Sequence, residues 1–239
     1  MEQHEKKYFK SIIIGAGASG LMCAEHIADG GSVLILEKQS QIAAKVKISG
    51  GGKCNFTNLG VTHNNYVCAN KHFVKSALAR FTPQDIVKIL QQYHIKYEER
   101  FNQQMFSFDA NEIVNMLLRR CLEKNVKIQT DCLVGSIIKE NNLFKIETNF
   151  GCFVCDNLII ATGGISCSQL GSTDFGYKIA RQFGHKIINP RPALVGFMAQ
   201  PEIRDFCSDL TGVSVPVTII IDKKKISRDL LFTHWGISG

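Results

Sequence analysis

The chain has 239 residues, 45% hydrophobic and 21% charged, which is enough for one large or two modest domains with a real core and ordinary for a globular rather than a disordered protein. Its net charge of +7 comes from 28 basic and 21 acidic residues. The basic residues read as scattered rather than gathered in a stripe, so no nucleic-acid partner is expected. No apolar stretch approaches the ~20 residues that span a membrane, so no membrane partner is expected either. Nine cysteines without framework spacing suit reduced thiols in a cytosol. Glu2 and Glu5 stand where a signal peptide is basic, so the expected location is cytoplasmic.

In chain order, Ser11 to Leu21 reads as a buried strand running into Gly15-Ala16-Gly17-Ala18-Ser19-Gly20 and directly into a helix. In a G-x-G-x-x-G turn, Gly15 permits the tight bend and Gly17 lets the backbone approach a pyrophosphate. Gly20 lets the helix pack closely on the strand, and the helix N-terminus offers free N–H groups to the anion. Alone the motif is a weak signal. Here Ala24 is small where the helix meets the sheet, Gly30-Gly31 ends the helix, and a second apolar strand, Ser32 to Leu36, leads to Glu37. That acid stands at about the ~20-residue offset of a ribose-binding carboxylate. This unit therefore predicts an adenine dinucleotide with an unphosphorylated ribose, FAD or NAD rather than NADP.

The run from Ala43 to Asn58 holds three consecutive glycines followed by Lys53, Cys54, Asn55 and Thr57-Asn58. Such a run is costly in a regular element and useful where backbone approaches a flat or charged ligand, and ligand contact is favoured over a flexible connector. Cys54 has no partner at dithiol spacing and reads as buried or merely polar rather than catalytic. Helices are predicted from His72 to Phe81, from Thr82 as N-cap with Pro83 next, and from a capping box at Asp109 to Glu112 through Cys121. The aromatic-rich run from Tyr97 to Phe108 reads as a short hairpin whose rings serve core packing.

From Val126 the period becomes that of strands. After a short strand at Val126 to Gln129, Leu133–Ile138, Leu143–Thr148 and Cys152–Val154 predict an antiparallel meander turning at Asn141-Asn142 and near Gly151. Cys152 and Cys155 match C-x-x-C, but on a strand they point to opposite faces, so no dithiol or metal site is expected. Asn157 to Gly164 reads as a buried strand ending in Ala161-Thr162-Gly163 at the mouth of the sheet, where open α/β sheets bind ligands. Gly171 to Gly176 then leads into a helix from Tyr177 to Phe183, stopped by Gly184. Prolines 190, 192, 201 and 216 mark a composition shift and a domain boundary near Asn189 to Leu194. Beyond it Val213 to Ile221 is a strand, and Lys223-Lys224-Lys225 reads as a solvated hairpin tip.

Four stretches, in order along nearly the whole chain, resemble one family. They are Ile14 to Leu21 with Glu37, Ser49-Gly50-Gly51-Gly52 with Cys54-Asn55 and Thr57-Asn58, Ala161 to Gly164 with Gly171 to Tyr177, and Leu230 to Gly239. The family is that of the bacterial aminoacetone-oxidase-like flavoproteins, commonly called NAD(P)/FAD-dependent oxidoreductases. The resemblance implies an α/β, glutathione-reductase-like FAD-binding Rossmann domain with a β-meander over residues 1–190. Residues 191–239 would begin an inserted, mainly β substrate domain. It implies FAD as cofactor, NAD(P)H as a candidate reductant, and a small organic or steroid-like substrate with an activated carbon–carbon double bond. Gly15, Ala16, Gly17, Ser19 and Gly20 would hold the pyrophosphate, and Glu37 the adenosine ribose with Lys38 beside it. Lys45, Ser49, Gly50, Gly51, Gly52 and Asn55 would lie along the flavin, Val134 would meet the adenine through its backbone, and Thr162 and Gly163 would pass near the cofactor. No catalytic acid or base is assigned; Cys54 and His234 are candidates by type, and each reads as structural.

The departures are specific. Ala43-Ala44 stands where relatives have Gly-Arg, Lys53 where many carry Arg, and Ser168 and Gly196 where many carry Pro. Losing a guanidinium fork weakens a bidentate phosphate contact. Relatives continue past Ser238-Gly239 and re-enter the flavin domain, so the resemblance implies a C-terminally truncated or split reading frame with a separate C-terminal fragment as partner. The alternative to an active oxidoreductase is then a non-catalytic nucleotide-binding remnant or one half of a split flavoenzyme. A plain NAD dehydrogenase is the weakest reading, because no second G-x-G-x-x-G is present.

Overall fold

The computed structural model describes residues 7–239, without the side chain of Lys224. Strand β1 (Lys7–Ile14) ends in three buried isoleucines, as the middle of a parallel sheet requires. The chain leaves it through the glycine turn into helix α1 (Ala18–Ile27) and returns in β2 (Val33–Leu36), buried throughout. β1 and β2 pair in parallel with Ile13 opposite Ile35. The glycine-rich run is more regular than the sequence suggests: it contains helix α2 (Ala44–Ile48) and strand β3 (Asn55–Asn58). Helix α3 (Lys75–Arg80) is shorter than the span expected from residue 72 to 81, whereas α4 (Pro83–Gln92) opens as read. There Asp85 Oδ2 accepts from the Thr82 backbone N–H (2.9 Å) and hydroxyl (2.7 Å). Strands β4 (Tyr97–Arg100) and β5 (Gln104–Ser107) form the expected hairpin, and β3 joins β5 to make a sheet of order β3-β5-β4.

Helix α5 (Ala110–Glu123) is capped by Asp109, whose side chain accepts from the Asn111 N–H at 2.8 Å. It packs beside α1, and Ile13, Leu21, Ala24, Ile35, Leu117 and Cys121 share one core. Strand β6 (Lys127–Gln129) extends the parallel sheet beyond β2. β7 (Val134–Glu140) and β8 (Leu143–Thr148) turn at Asn141-Asn142, whose φ angles of 50° and 65° are those a two-residue hairpin turn demands. Strand β9 (Gly151–Ile160) corrects the sequence reading, because one ten-residue strand replaces two short ones. Its first half pairs antiparallel with β8, while its length from Phe153 runs parallel to β1. The sheet order is β6-β2-β1-β9-β8-β7. Ile12, Ile14, Leu34, Ile137 and Ile146 form a second core with Ile179 of helix α6 (Phe175–Gln182). Each fully buried Ile or Leu contributes about 1.5–3 kcal/mol, so the strand ends that frame the site are anchored by two cores.

The chain divides into two units, the first ending at Ile187 and the second spanning Ile188–Gly239. The second holds β10 (Phe197–Met198), α7 (Pro201–Asp209), β11 (Ser214–Ile221), β12 (Lys224–Thr233) and β13 (Gly236–Ser238), in an antiparallel sheet of order β10-β13-β12-β11. The turn between β11 and β12 is Asp222-Lys223 alone, so Lys224 and Lys225 belong to the strand rather than to a lysine tip. Phe206 of α7 meets Phe232 edge-on at 5.9 Å. His234 has Thr211 Oγ1 3.3 Å from its Nδ1. All nine cysteines are free, and burial pushes the Cys155 thiol up to about 11. Among the described residues no helix is long and apolar enough to cross a membrane.

Candidate functional site

The strands β2, β1 and β9 end side by side, and the site is built on those ends. The Gly15 N–H donates to the Leu36 carbonyl at 2.8 Å and the Ala161 N–H to the Ile14 carbonyl at 2.8 Å. At φ +108° Gly15 takes a conformation that favours glycine, and a Cβ there would lie 2.6 Å from the Ala161 carbonyl oxygen. Gly20 is tighter still, since its Cβ would lie 1.9 Å from the Gly15 oxygen. Helix α1 therefore rides in contact with the turn. Its N-cap, Gly17, brings no capping side chain, and a Cβ at Gly17 would meet nothing within 4 Å. The first turn of α1 thus presents backbone N–H groups and the positive end of the helix dipole to open space.

Glu37 follows β2 and is held at both oxygens. Oε2 accepts from the Ala16 N–H at 2.7 Å and Oε1 from the Gln39 N–H at 2.9 Å. Each carboxylate oxygen has a further lone pair, so the fixed carboxylate remains able to accept from ribose hydroxyls.

A cleft of about 550 Å³ runs across these strand ends, within the size range of small-ligand sites. It brings together nine of the positions singled out from sequence: Gly15, Gly17, Ser19, Glu37, Lys38, Lys45, Val134, Thr162 and Gly163. Lys45 Nζ donates to the Gly164 carbonyl at 3.4 Å, so its cation lies over the turn that follows β9. Ala16 and Gly20 are buried behind the turn. Ser49 and Asn55 line a neighbouring cavity instead, and Gly50, Gly51 and Gly52 line neither. Gly50 faces the Phe106 ring, whereas Gly51 and Gly52 border open space.

Sequence reasoning missed the opposite wall, where Leu133, Gly171, Ser172 and Phe175 line the cleft. Ser172 Oγ is buried without a hydrogen-bond partner among the described residues, which points to a polar ligand group that completes it. The available signal was the Gly171-Ser172-Thr173 turn immediately before α6. An uncapped helix N-terminus, a fixed carboxylate and an orphaned hydroxyl around one cleft fit an adenine dinucleotide such as FAD.

The neighbouring cavity also measures about 550 Å³ and shares Ala18, Ser19, Lys45 and Val46 with the cleft. Phe56, Tyr66 and Phe81 contribute aromatic rings to it, and Cys54 lies in its wall. Burial pushes the Cys54 thiol up, with a smaller opposing effect from Ser49, which leaves it a poor nucleophile. Among the described residues no group of three or more His, Cys, Asp or Glu is placed to hold a metal ion.

Charge supplies a second missed signal. Between Glu37 and Asp85 there is no acidic residue, and the seven basic ones, Lys38, Lys45, Lys47, Lys53, Lys71, Lys75 and Arg80, equal the whole net charge of +7. None of the seven forms an ion pair among the described residues. The basic residues are not dense, which is why they look scattered; the acids are missing. This stretch contributes walls to both cavities.

The model of the HI0933-like protein Rossmann domain matches residues 9–238. The chain belongs to that family. This HI0933-like chain is 44% identical over 240 residues to the ribosomal RNA dihydrouridine synthase of Haemophilus influenzae, covering 98% of the chain and 60% of that protein. Against the ribosomal RNA dihydrouridine synthase of Escherichia coli it is 40% identical over 234 residues, 97% of the chain and 58% of the relative. The 3-dehydro-bile acid delta(4,6)-reductase of Clostridium scindens is 28% identical over 239 residues, 95% of the chain and 57% of the relative. The chain thus spans about three fifths of the length of these curated relatives. Among solved structures, THI4 of Thermovibrio ammonificans superposes with a TM-score of 0.51 at 15% identity, covering 86% of this chain and 71% of that one. The 3-ketosteroid-delta4-(5alpha)-dehydrogenase of Rhodococcus jostii gives 0.50 at 12%, with coverage of 68% and 47%. The fold is a Rossmann-like α/β domain of the FAD-binding type, as the sequence predicts, and the flavoprotein resemblance stands at the level of the HI0933-like family.

Proposed function

We propose that this chain is the cofactor-binding portion of an FAD-dependent reductase acting on a uracil of ribosomal RNA, with NAD(P)H as reductant. Dihydrouridine is uridine with its C5–C6 double bond saturated. That bond is conjugated to a carbonyl, so it belongs to the class of activated double bonds that the family resemblance implies, with RNA in place of a small steroid-like substrate. Two relatives named for this product match nearly the whole chain at 44% and 40% identity, against 28% for the bile-acid reductase. The observation that carries RNA over a small neutral substrate is the acid-free stretch from Lys38 to Gln84, whose seven cations suit a phosphate backbone.

Reduction adds a hydride equivalent to one carbon of the double bond and a proton to the other; FAD, held by the residues below, would supply the hydride chemistry, with NAD(P)H as the source of reducing equivalents. The chain's own residues bind and orient. The first turn of α1 takes the pyrophosphate, Glu37 the adenosine ribose, Val134 and Ser172 the wall beside the adenine, and Lys45 the space over Thr162 to Gly164. The cytoplasm is the compartment that suits ribosomal RNA and free thiols. The test is a nucleoside digest of ribosomal RNA from a host lacking the gene, read by mass spectrometry. Dihydrouridine is expected to disappear from the ribosomal RNA and to return with the gene; an unchanged amount would overturn the reading.

A further inference from the structure

We propose that the aromatic cavity beside the cofactor cleft receives the target uracil, turned out of the RNA stack; this rests on the reading of the chain as a ribosomal RNA uridine reductase. The cavity shares Ala18, Ser19, Lys45 and Val46 with the dinucleotide cleft, so a ring inside it lies against the cofactor site. Its volume of about 550 Å³ leaves ample room for a pyrimidine ring and the sugar that follows it. A base within an A-form helix presents only its edges to a protein, so a ring that must enter a recess has to leave the stack.

The lining has the chemistry of a base pocket. Phe56 is held by an edge-on contact with Tyr97 at 6.0 Å, and Phe81 meets His26 in the same manner at 6.3 Å. Tyr66 is 45% exposed, and its hydroxyl makes no hydrogen bond among the described residues. Phe56 and Phe81 thus supply braced rings, and Tyr66 a free one at the entrance, for stacking a flat ring. Polar recognition falls to Asn55, which lines the same cavity. Oriented with its nitrogen donating to the carbonyls of Thr57 (3.1 Å) and Met105 (3.3 Å), its amide is held in one orientation in the cavity wall.

The surrounding chain suits the RNA backbone. Tyr66, Leu78 and Phe81 of the cavity wall lie in the acid-free stretch, whose Lys71, Lys75 and Arg80 are exposed and form no ion pair among the described residues. Phosphates on either side of an extruded nucleotide would meet these cations while the base occupies the cavity.

The test is photocrosslinking of the FAD-saturated chain to a ribosomal RNA fragment transcribed with 4-thiouridine, with crosslinked peptides mapped by mass spectrometry. Crosslinks to Phe56, Tyr66 or Phe81 are expected. Tyr66→Ala should lower their yield at least tenfold and Tyr66→Phe should retain it, with circular dichroism confirming that both variants fold. Crosslinks confined to other surfaces would overturn the assignment of the cavity while leaving the RNA substrate in place. No crosslink anywhere on the FAD-bound chain would overturn both.

Discussion

Glu37→Ala is expected to weaken FAD binding roughly 10- to 100-fold, the loss that follows from removing charge-assisted hydrogen bonds of about 1.5–3 kcal/mol. Two effects add. The ribose hydroxyls lose their acceptor, and the Ala16 and Gln39 N–H groups lose the carboxylate that holds the glycine turn in shape at 2.7 and 2.9 Å. Glu37→Gln should fall between wild type and alanine, because one of its two terminal atoms becomes a donor facing a backbone donor. Flavin fluorescence titration of the three proteins orders the affinities. Equal affinity across all three would remove Glu37 from the site.

The paired variants Gly20→Ala and Gly17→Ala should fail in different ways. At Gly20 the new methyl would lie 1.9 Å from a backbone oxygen, so α1 must shift away from the turn. Overpacking of this kind costs about 1–3 kcal/mol, and the displaced helix should lose more than tenfold in FAD affinity as well. At Gly17 the methyl meets no protein atom within 4 Å and the backbone lies at φ −79°, so urea denaturation should change little, by less than about 0.5 kcal/mol. FAD affinity should nonetheless drop, because the methyl occupies the approach to the helix N-terminus. The reverse pattern, a stable Gly20→Ala and an unfolded Gly17→Ala, would contradict the described packing.

What the sequence made legible was local. The strand, glycine turn and helix could be read because each glycine answers a nearby steric demand, and Glu37 because its offset is fixed by one helix and one strand. Thr82-Pro83 and Asn141-Asn142 were legible for the same reason. The features that were not legible depend on distant partners. From sequence β9 reads as two strands because Asp156, just before the polar Asn157 that opens the second, breaks the apolar pattern. In the fold, Asp156 accepts from Tyr8 Oη (2.8 Å) and Lys10 Nζ (2.5 Å), and Asn157 Nδ2 donates to the Lys10 carbonyl (3.3 Å). β1 thus satisfies both polar side chains from the adjacent strand. From sequence β3 reads as loop because its partner, β5, is supplied from far along the chain, with Asn55 opposite Phe106.

The candidate site divides along the same line. The floor of the cleft, from Gly15 to Glu37, follows from one βαβ unit. The wall at Leu133 and Ser172 comes from segments brought back only by the sheet order, and an orphaned hydroxyl has no signature in sequence. The acid-free stretch was visible in the residues themselves; counting cations hid it, and asking where the carboxylates were absent reveals it.

The roles proposed for these residues all require the cleft at the ends of β1, β2 and β9 to hold FAD. Titration of the purified chain with FAD, followed by flavin absorbance and fluorescence, tests it most directly. Saturation at one FAD per chain, with a perturbed flavin spectrum that Glu37→Ala weakens, is the predicted result. A spectrum identical to that of free FAD at every protein concentration would contradict it.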